Sequence, residues 1–160
     1  MFTGITKVRR LRPREVNLKA VNDINDLLRR QHSEARKIDE DILREQIAKA
    51  KVVVAWNDND RIIGLGVLVK TLTLSHTFAT IHNLVVCEGS DRLSVGKQIV
   101  DLLVEGVGDV AFIEASAWPD DGDLINLLTV CRFKPKHKLR YRFKIKVPKA
   151  TPALEINRLP

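Results

Sequence analysis

A strand, a loop and a helix follow one another from Thr80 to Val104, and this stretch constrains the fold more than any other. The strand ends in the apolar run Leu84, Val85 and Val86, which is typical of a strand buried within a sheet. After a loop of turn-forming residues, apolar residues recur at helical spacing: Val95, Ile99, Leu102 and Leu103. The stretch therefore predicts a buried strand that leads into an amphipathic helix, as in α/β proteins.

The loop before this helix has the features of an anion site. A helix that begins beside Ser94 and Gly96 directs free backbone N–H groups and the positive end of its dipole toward the loop. Small residues also allow the backbone to approach a phosphate closely. Asp91 would repel a phosphate if it pointed inward, so we expect it to face solvent or to pair with Arg92 or Lys97. The alternative is an ordinary connection in which Ser94 caps the helix.

The strand, loop and helix resemble the acyl-coenzyme A binding segment of the GCN5-related N-acetyltransferase (GNAT) superfamily. The family pattern is Gln or Arg, two residues, Gly, one residue, then Gly or Ala. Gly96 matches the final small position, whereas Ser94 replaces the first Gly and Asp91 replaces the Gln or Arg. Arg92, one place along, would supply the positive charge. The resemblance implies acetyl-coenzyme A as cofactor, with these binding residues: Leu84, Val85, Val86, Asp91, Arg92, Leu93, Ser94, Val95, Gly96, Lys97 and Asp121.

The rest of the chain follows the same order of elements as that superfamily. Periodicity predicts six strands: 5–12, 52–56, 61–74, the strand that ends at 86, 110–116 and 139–147. It also predicts four helices: one after Asn17, one from about Asp39 to Lys51, one after the loop and one after Asp123. We therefore predict an α/β (α+β) fold, with a GNAT-like mixed, mainly antiparallel central sheet of about six or seven strands flanked by about four helices. Residues 1–148 are expected to form a single domain, and 149–160 an extended or mobile tail.

Composition narrows the classes of partner. The 160 residues are 44% apolar and 29% charged, which is typical of a soluble globular protein. No apolar run approaches the roughly 20 residues that span a bilayer, and no signal peptide is recognisable, so we expect a cytoplasmic protein without a membrane partner. The net charge of +7 favours anionic partners. Cys87, Cys131 and the four histidines have no metal-site spacing, so we expect no metal.

The resemblance also implies catalytic roles. The backbone N–H near Val86 would polarise the thioester carbonyl, and residues on the central strand would act as base directly or through water. His82 is the candidate base, because histidine changes its charge near neutral pH; the alternative is a sheet histidine that only packs or forms hydrogen bonds. The family's usual acid is a tyrosine, and Leu128 occupies its position. The predicted helix that contains Leu128 ends in Arg132 and Phe133, where the family has Gly and Phe.

Two classes of function remain open, with a third behind them. The first is an acetyl-CoA dependent N-acetyltransferase that transfers an acetyl group to a small-molecule or protein amine in a ternary complex; segment 31–37 would line the acceptor groove, and a homodimer is possible in this family. The second is a catalytically inactive GNAT-like binding protein that recognises an anionic partner through its basic face. The third is nucleic-acid binding through the basic strand face from Lys134 to Lys146, against which the lack of interleaved exposed aromatic residues argues.

Overall fold

A computed structural model describes residues 7–87 and 91–136, and five strands within them form one sheet. The strands are β1 (Lys7–Arg10), β2 (Lys51–Trp56), β3 (Ile62–Leu72), β4 (Thr77–Val86) and β5 (Ile113–Ala115). The helices are α1 (Leu18–Gln31), α2 (Glu40–Lys49), α3 (Arg92–Val104) and α4 (Gly122–Val130). The strands lie in chain order; the first four are antiparallel to their neighbours, and β5 is parallel to β4.

Helices cover both faces of the sheet, and this explains the unbroken apolar run of β2. Val52 and Val54 belong to the cluster formed with α1 and α2, whereas Val53 and Ala55 belong to the cluster formed with α3 and α4. Successive side chains of a strand point to opposite faces, so a strand covered on both sides needs apolar residues throughout. The core therefore consists of two layers separated by the sheet.

Short polar side chains set the beginning of each helix. The helix predicted after Asn17 is confirmed, and Asn17 is its cap, since its Oδ1 accepts a hydrogen bond from the Ala20 N–H at 2.9 Å. The third helix begins earlier than predicted, at Arg92 rather than beside Ser94. Asp91 is its cap and accepts from the Ser94 N–H at 3.2 Å, and the residue is exposed, as expected, without forming an ion pair to Arg92 or Lys97.

The predicted order of elements is confirmed from β1 to α4, and residues 57–60 form the turn that joins the antiparallel strands β2 and β3. The second helix ends at Lys49, two residues earlier than predicted, and Lys51 already belongs to β2. The described residues contain five strands rather than six or seven. The predicted strand 139–147 and the tail 149–160 lie outside the described residues.

None of the helices in the described part of the chain is long and apolar enough to cross a membrane.

Candidate functional site

A groove of about 480 Å³ opens where β4 continues beyond its partner β5. The two strands pair only over Ala79–Ile81 and Ile113–Ala115, after which β4 continues to Val86. Ligand sites of proteins commonly enclose 300–1,000 Å³. The lining comes from α1, the end of β4 and the first turns of α3 and α4: Arg30, Gln31, Leu84, Val85, Val86, Cys87, Arg92, Leu93, Asp121, Asp123, Leu124, Asn126 and Leu127.

A β-bulge precedes the groove. The register between β3 and β4 shifts between Leu65 and Val67, so that Asn83 and Leu84 together lie opposite Gly66. Asn83 has a φ of +51°, which asparagine tolerates better than most residues. A bulge bends its strand and re-aims the residues beside it. The direction of β4 therefore changes just before the strand enters the groove.

The hydrogen-bond pattern at the end of β4 turns the Val86 N–H toward the groove. The Cys87 N–H donates to the Ile63 carbonyl at 2.7 Å, so these two residues form a hydrogen-bonded pair. Hydrogen-bonded and non-hydrogen-bonded pairs alternate along an antiparallel ladder. The Gly64–Val86 pair is therefore of the second kind, and the Val86 N–H points away from β3. On that side β5 has already ended, and the groove begins.

Two residues at the end of α1 close one wall of the groove. Gln31 Nε2 donates to the Leu84 carbonyl at 3.3 Å, and the Arg30 guanidinium donates to Cys87 Sγ at 3.4 Å. Gln31 Oε1 is buried and has no hydrogen-bond partner among the described residues. Buried polar atoms are nearly always paired, so this oxygen is an acceptor that a ligand donor would satisfy.

Positive and negative groups lie close together at the mouth of the groove. Arg92 Nη1 on α3 lies 2.5 Å from Asp123 Oδ2 on α4, and both side chains are exposed. Asp121 caps α4 by accepting from the Leu124 N–H at 3.0 Å. Together with Asp91 on α3, this places a carboxylate at the beginning of both helices. An anionic ligand must therefore compete with Asp123 for Arg92 and with Asp91 for the first amides of α3.

The structure brings six of the predicted cofactor residues together in the groove: Leu84, Val85, Val86, Arg92, Leu93 and Asp121. The other five lie outside its lining: Asp91, Ser94, Val95, Gly96 and Lys97. Ser94 is exposed, Val95 is buried in the core, and Lys97 pairs with Asp101 on the outer face of α3. Gly96 faces α4, where an added Cβ would lie 2.6 Å from Cδ2 of Leu127. Its small size therefore serves helix packing.

The predicted base does not line the groove. His82 is exposed and lies opposite Val67, on the sheet face that α1 and α2 cover. Leu128, at the position of the family's tyrosine, is buried in the cluster beneath α3 and α4. Among the described residues, no three side chains of metal-ligand type come together.

Six lining residues were not predicted from the sequence: Arg30, Cys87, Asp123, Leu124, Asn126 and Leu127. No local pattern distinguishes them from ordinary surface or core residues. Of the segment 31–37, which was expected to line an acceptor groove, Gln31 lines this groove and residues 32–37 do not.

No protein-family model and no curated protein sequence matches the chain. Solved structures do resemble it. An aminoglycoside acetyltransferase from an uncultured soil metagenomic sample is 15% identical, with a TM-score of 0.72 over 88% of this chain and 97% of that one. Glucosamine-6-phosphate N-acetyltransferase from Arabidopsis thaliana is 15% identical, with a TM-score of 0.66 over 86% and 97%. A transcriptional regulator from Bacillus halodurans is 16% identical, with a TM-score of 0.69 over 86% and 99%. At this level of identity, the likeness establishes the fold alone.

Proposed function

We propose that this chain, which has the GNAT fold, is an acetyl-coenzyme A dependent N-acetyltransferase that transfers an acetyl group directly to a primary amine. The observation that carries the proposal is the groove beyond the end of β5, toward which the Val86 N–H points. Neighbours in fold named for aminoglycoside and glucosamine-6-phosphate acetylation support a small-molecule amine as acceptor. A protein amine is the alternative acceptor.

The groove residues suit the acyl and pantetheine end of the cofactor. Leu84, Leu93 and Leu124 provide apolar walls, and the unpaired Gln31 Oε1 would accept a hydrogen bond from an amide N–H of the pantetheine arm. Arg92 is the cation that would hold the pyrophosphate, after exchanging Asp123 for it. When bound, the cofactor would supply an activated thioester whose acetyl group passes to the amine.

The chain's own groups would then assist the transfer. The Val86 N–H would donate to the carbonyl oxygen, on which negative charge develops as the amine attacks. His82, exposed on the α1 and α2 face, would remove a proton from the amine, through water because it does not line the groove. Leu128 has no proton to donate, so the departing thiolate would take its proton from water.

A GNAT-like binding protein without turnover is the second candidate. Two observations favour it. Asp123 forms an ion pair with Arg92, the side chain expected to bind phosphate, and the buried Leu128 stands where the family has its acidic tyrosine. The second candidate would recognise an anionic partner through its basic face, and only the first requires that an acetyl group be transferred.

Calorimetric titration with acetyl-coenzyme A tests the cofactor binding that the first candidate requires. We expect Arg92→Gln to weaken binding by about tenfold, the loss of one charge-assisted hydrogen bond. Lys97→Gln removes the same charge from the same helix outside the groove and should leave affinity unchanged. Absence of binding at millimolar cofactor would refute the enzyme.

An amine-acceptor screen then tests turnover. We expect His82→Ala to lower kcat while the cofactor affinity stays the same, because the side chain does not line the groove. Tight cofactor binding without acetylation of any aminoglycoside, amino sugar or peptide amine in the screen would favour the binding protein.

A further inference from the structure

Three cationic side chains from adjacent strands lie on one face of the sheet. Arg10 of β1 is in register with Val53 of β2, and Lys51 of β2 is in register with Leu68 of β3. Residues two apart on a strand share a face, so Lys51 lies on the face of Val53, and Lys70 on the face of Leu68. Val53 and Leu68 both belong to the cluster beneath α3. Arg10 and Lys70 therefore flank Lys51 diagonally on the α3 side.

These side chains line a second groove, of about 310 Å³, at the other end of the sheet. Lys49 in the last turn of α2 contributes a fourth cation, and the segment after α3 contributes Gly106 and Val107. No acidic side chain of the described residues lines this groove. Since α3 begins at the first groove and ends beside the second, the two sites lie a full helix apart.

The positive charge of this groove is only partly balanced. Lys51 Nζ donates to the Glu105 carbonyl at 2.6 Å, and Lys49 pairs with Glu45. Arg10 and Lys70 have no ion-pair or hydrogen-bond partner among the described residues. Burial lowers the pKa of Lys51; the carboxylate of Glu105 opposes this, whereas Arg10 and Lys70 add to it. Like charges on neighbouring strands destabilise a sheet, and a bound anion would relieve that repulsion.

We propose that Arg10, Lys51 and Lys70 form a second anion site, which binds a phosphate or pyrophosphate group of a small molecule. The size of the groove supports this class of ligand. Its volume is near the lower end for ligand sites, which suits one or two phosphate groups. Arginine gives planar paired donors and lysine a point charge, a combination suited to phosphate oxygens.

Pyrophosphate titration of the full chain, followed by calorimetry, tests the site. We expect Lys70→Gln and Arg10→Gln each to weaken binding by about tenfold, or ~1.4 kcal/mol. Lys37→Gln is the matched control, because this exposed lysine lines neither groove and its loss changes the net charge equally. Arg92→Gln shows whether the titrated site is the first groove. We expect Lys37→Gln to keep the wild-type affinity.

Three results would overturn the proposal. Equal weakening by Lys70→Gln and Lys37→Gln would mean that only net charge matters. Loss of binding in Arg92→Gln would assign the anion to the first groove. A single-stranded oligonucleotide that binds more tightly than pyrophosphate and depends on Lys70 would identify a nucleic-acid surface instead. Circular dichroism confirms that each variant is folded; Lys51→Gln is avoided because it also breaks the bond to Glu105.

Discussion

Gly96 allows the contact between α3 and α4 to be tested directly. A Cβ built there would lie 2.6 Å from Cδ2 and 3.1 Å from Cδ1 of Leu127. Carbon atoms attract best at about 3.5–4.0 Å, so the added methyl would overlap Leu127 by roughly 1 Å. Overpacking of this kind costs about 1–3 kcal/mol, whereas alanine is favoured over glycine within a helix by about 1 kcal/mol. We expect Gly96→Ala to lower the free energy of unfolding by about 1 kcal/mol.

Truncation of Leu127 should reverse the sign of that effect. Leu127 is 6% exposed, and Leu127→Ala alone should cost about 3 kcal/mol through lost burial and a residual cavity. All three atoms that approach the new Cβ are then gone, so Gly96→Ala in this background keeps only its helix-propensity gain. We expect the second substitution to stabilise the Leu127→Ala protein by about 1 kcal/mol, which gives a coupling energy of about 2 kcal/mol.

Urea unfolding of the four proteins, followed by circular dichroism, measures the cycle. Gly122→Ala is the control, because no atom of the described residues lies within 4 Å of a Cβ built at this glycine of α4, and we expect no loss of stability. If Gly96→Ala changes stability equally in both backgrounds, within about 0.5 kcal/mol, the packing explanation is wrong. A small residue at this position would then be explained by close approach of a ligand.

Two further predictions concern Arg132, which follows α4, and Glu15, which lies between β1 and α1. Arg132 has a φ of +65° and holds the position after α4 that glycine usually takes, so Arg132→Gly should raise the free energy of unfolding by about 1 kcal/mol in urea, whereas Arg132→Ala should not. Burial raises the pKa of Glu15, but its hydrogen bonds to Arg9 and the Arg12 N–H and the charges of both arginines outweigh this and lower it overall. A lowered pKa in the folded state stabilises the protein above the unfolded value of about 4.3, and the stabilisation is lost as pH falls through the folded value. Thermal melts from pH 7 to pH 3 should therefore fall more steeply for the wild type than for Glu15→Gln, and parallel curves would contradict this.

Local patterns in the sequence predicted most of the fold because each depends on neighbouring residues. The apolar run Leu84, Val85 and Val86 indicated a buried strand, and Asn17 marked the start of α1. The start of α3 was less certain, because Asp91 and Ser94 are both good capping residues. The choice depends on which side chain reaches a free amide, and Asp91 reaches that of Ser94.

The site depends on contacts that no local pattern encodes. Gln31 meets Leu84 from 53 residues away, and Arg92 meets Asp123 from 31 residues away. The strand and the helix on either side of the loop could be predicted because each has its own pattern, continuous in sequence. The role of Gly96 could not, because periodicity does not show whether a small residue faces a ligand or a side chain.

The side-chain charges of the two grooves differ: they cancel at the first end of α3 and are positive at the other, and this bears on both proposals. Two arginines and two aspartates line the first groove, so the side-chain charges cancel. The main positive potential that remains there is the half charge of the helix dipole. A phosphate ligand gains there chiefly by taking Arg92 from Asp123. The second groove lies at the negative end of α3, but half a charge neutralises only a fraction of its four cations. Free phosphate should therefore prefer the second groove, whereas binding at the first must depend on apolar and amide contacts along the end of β4.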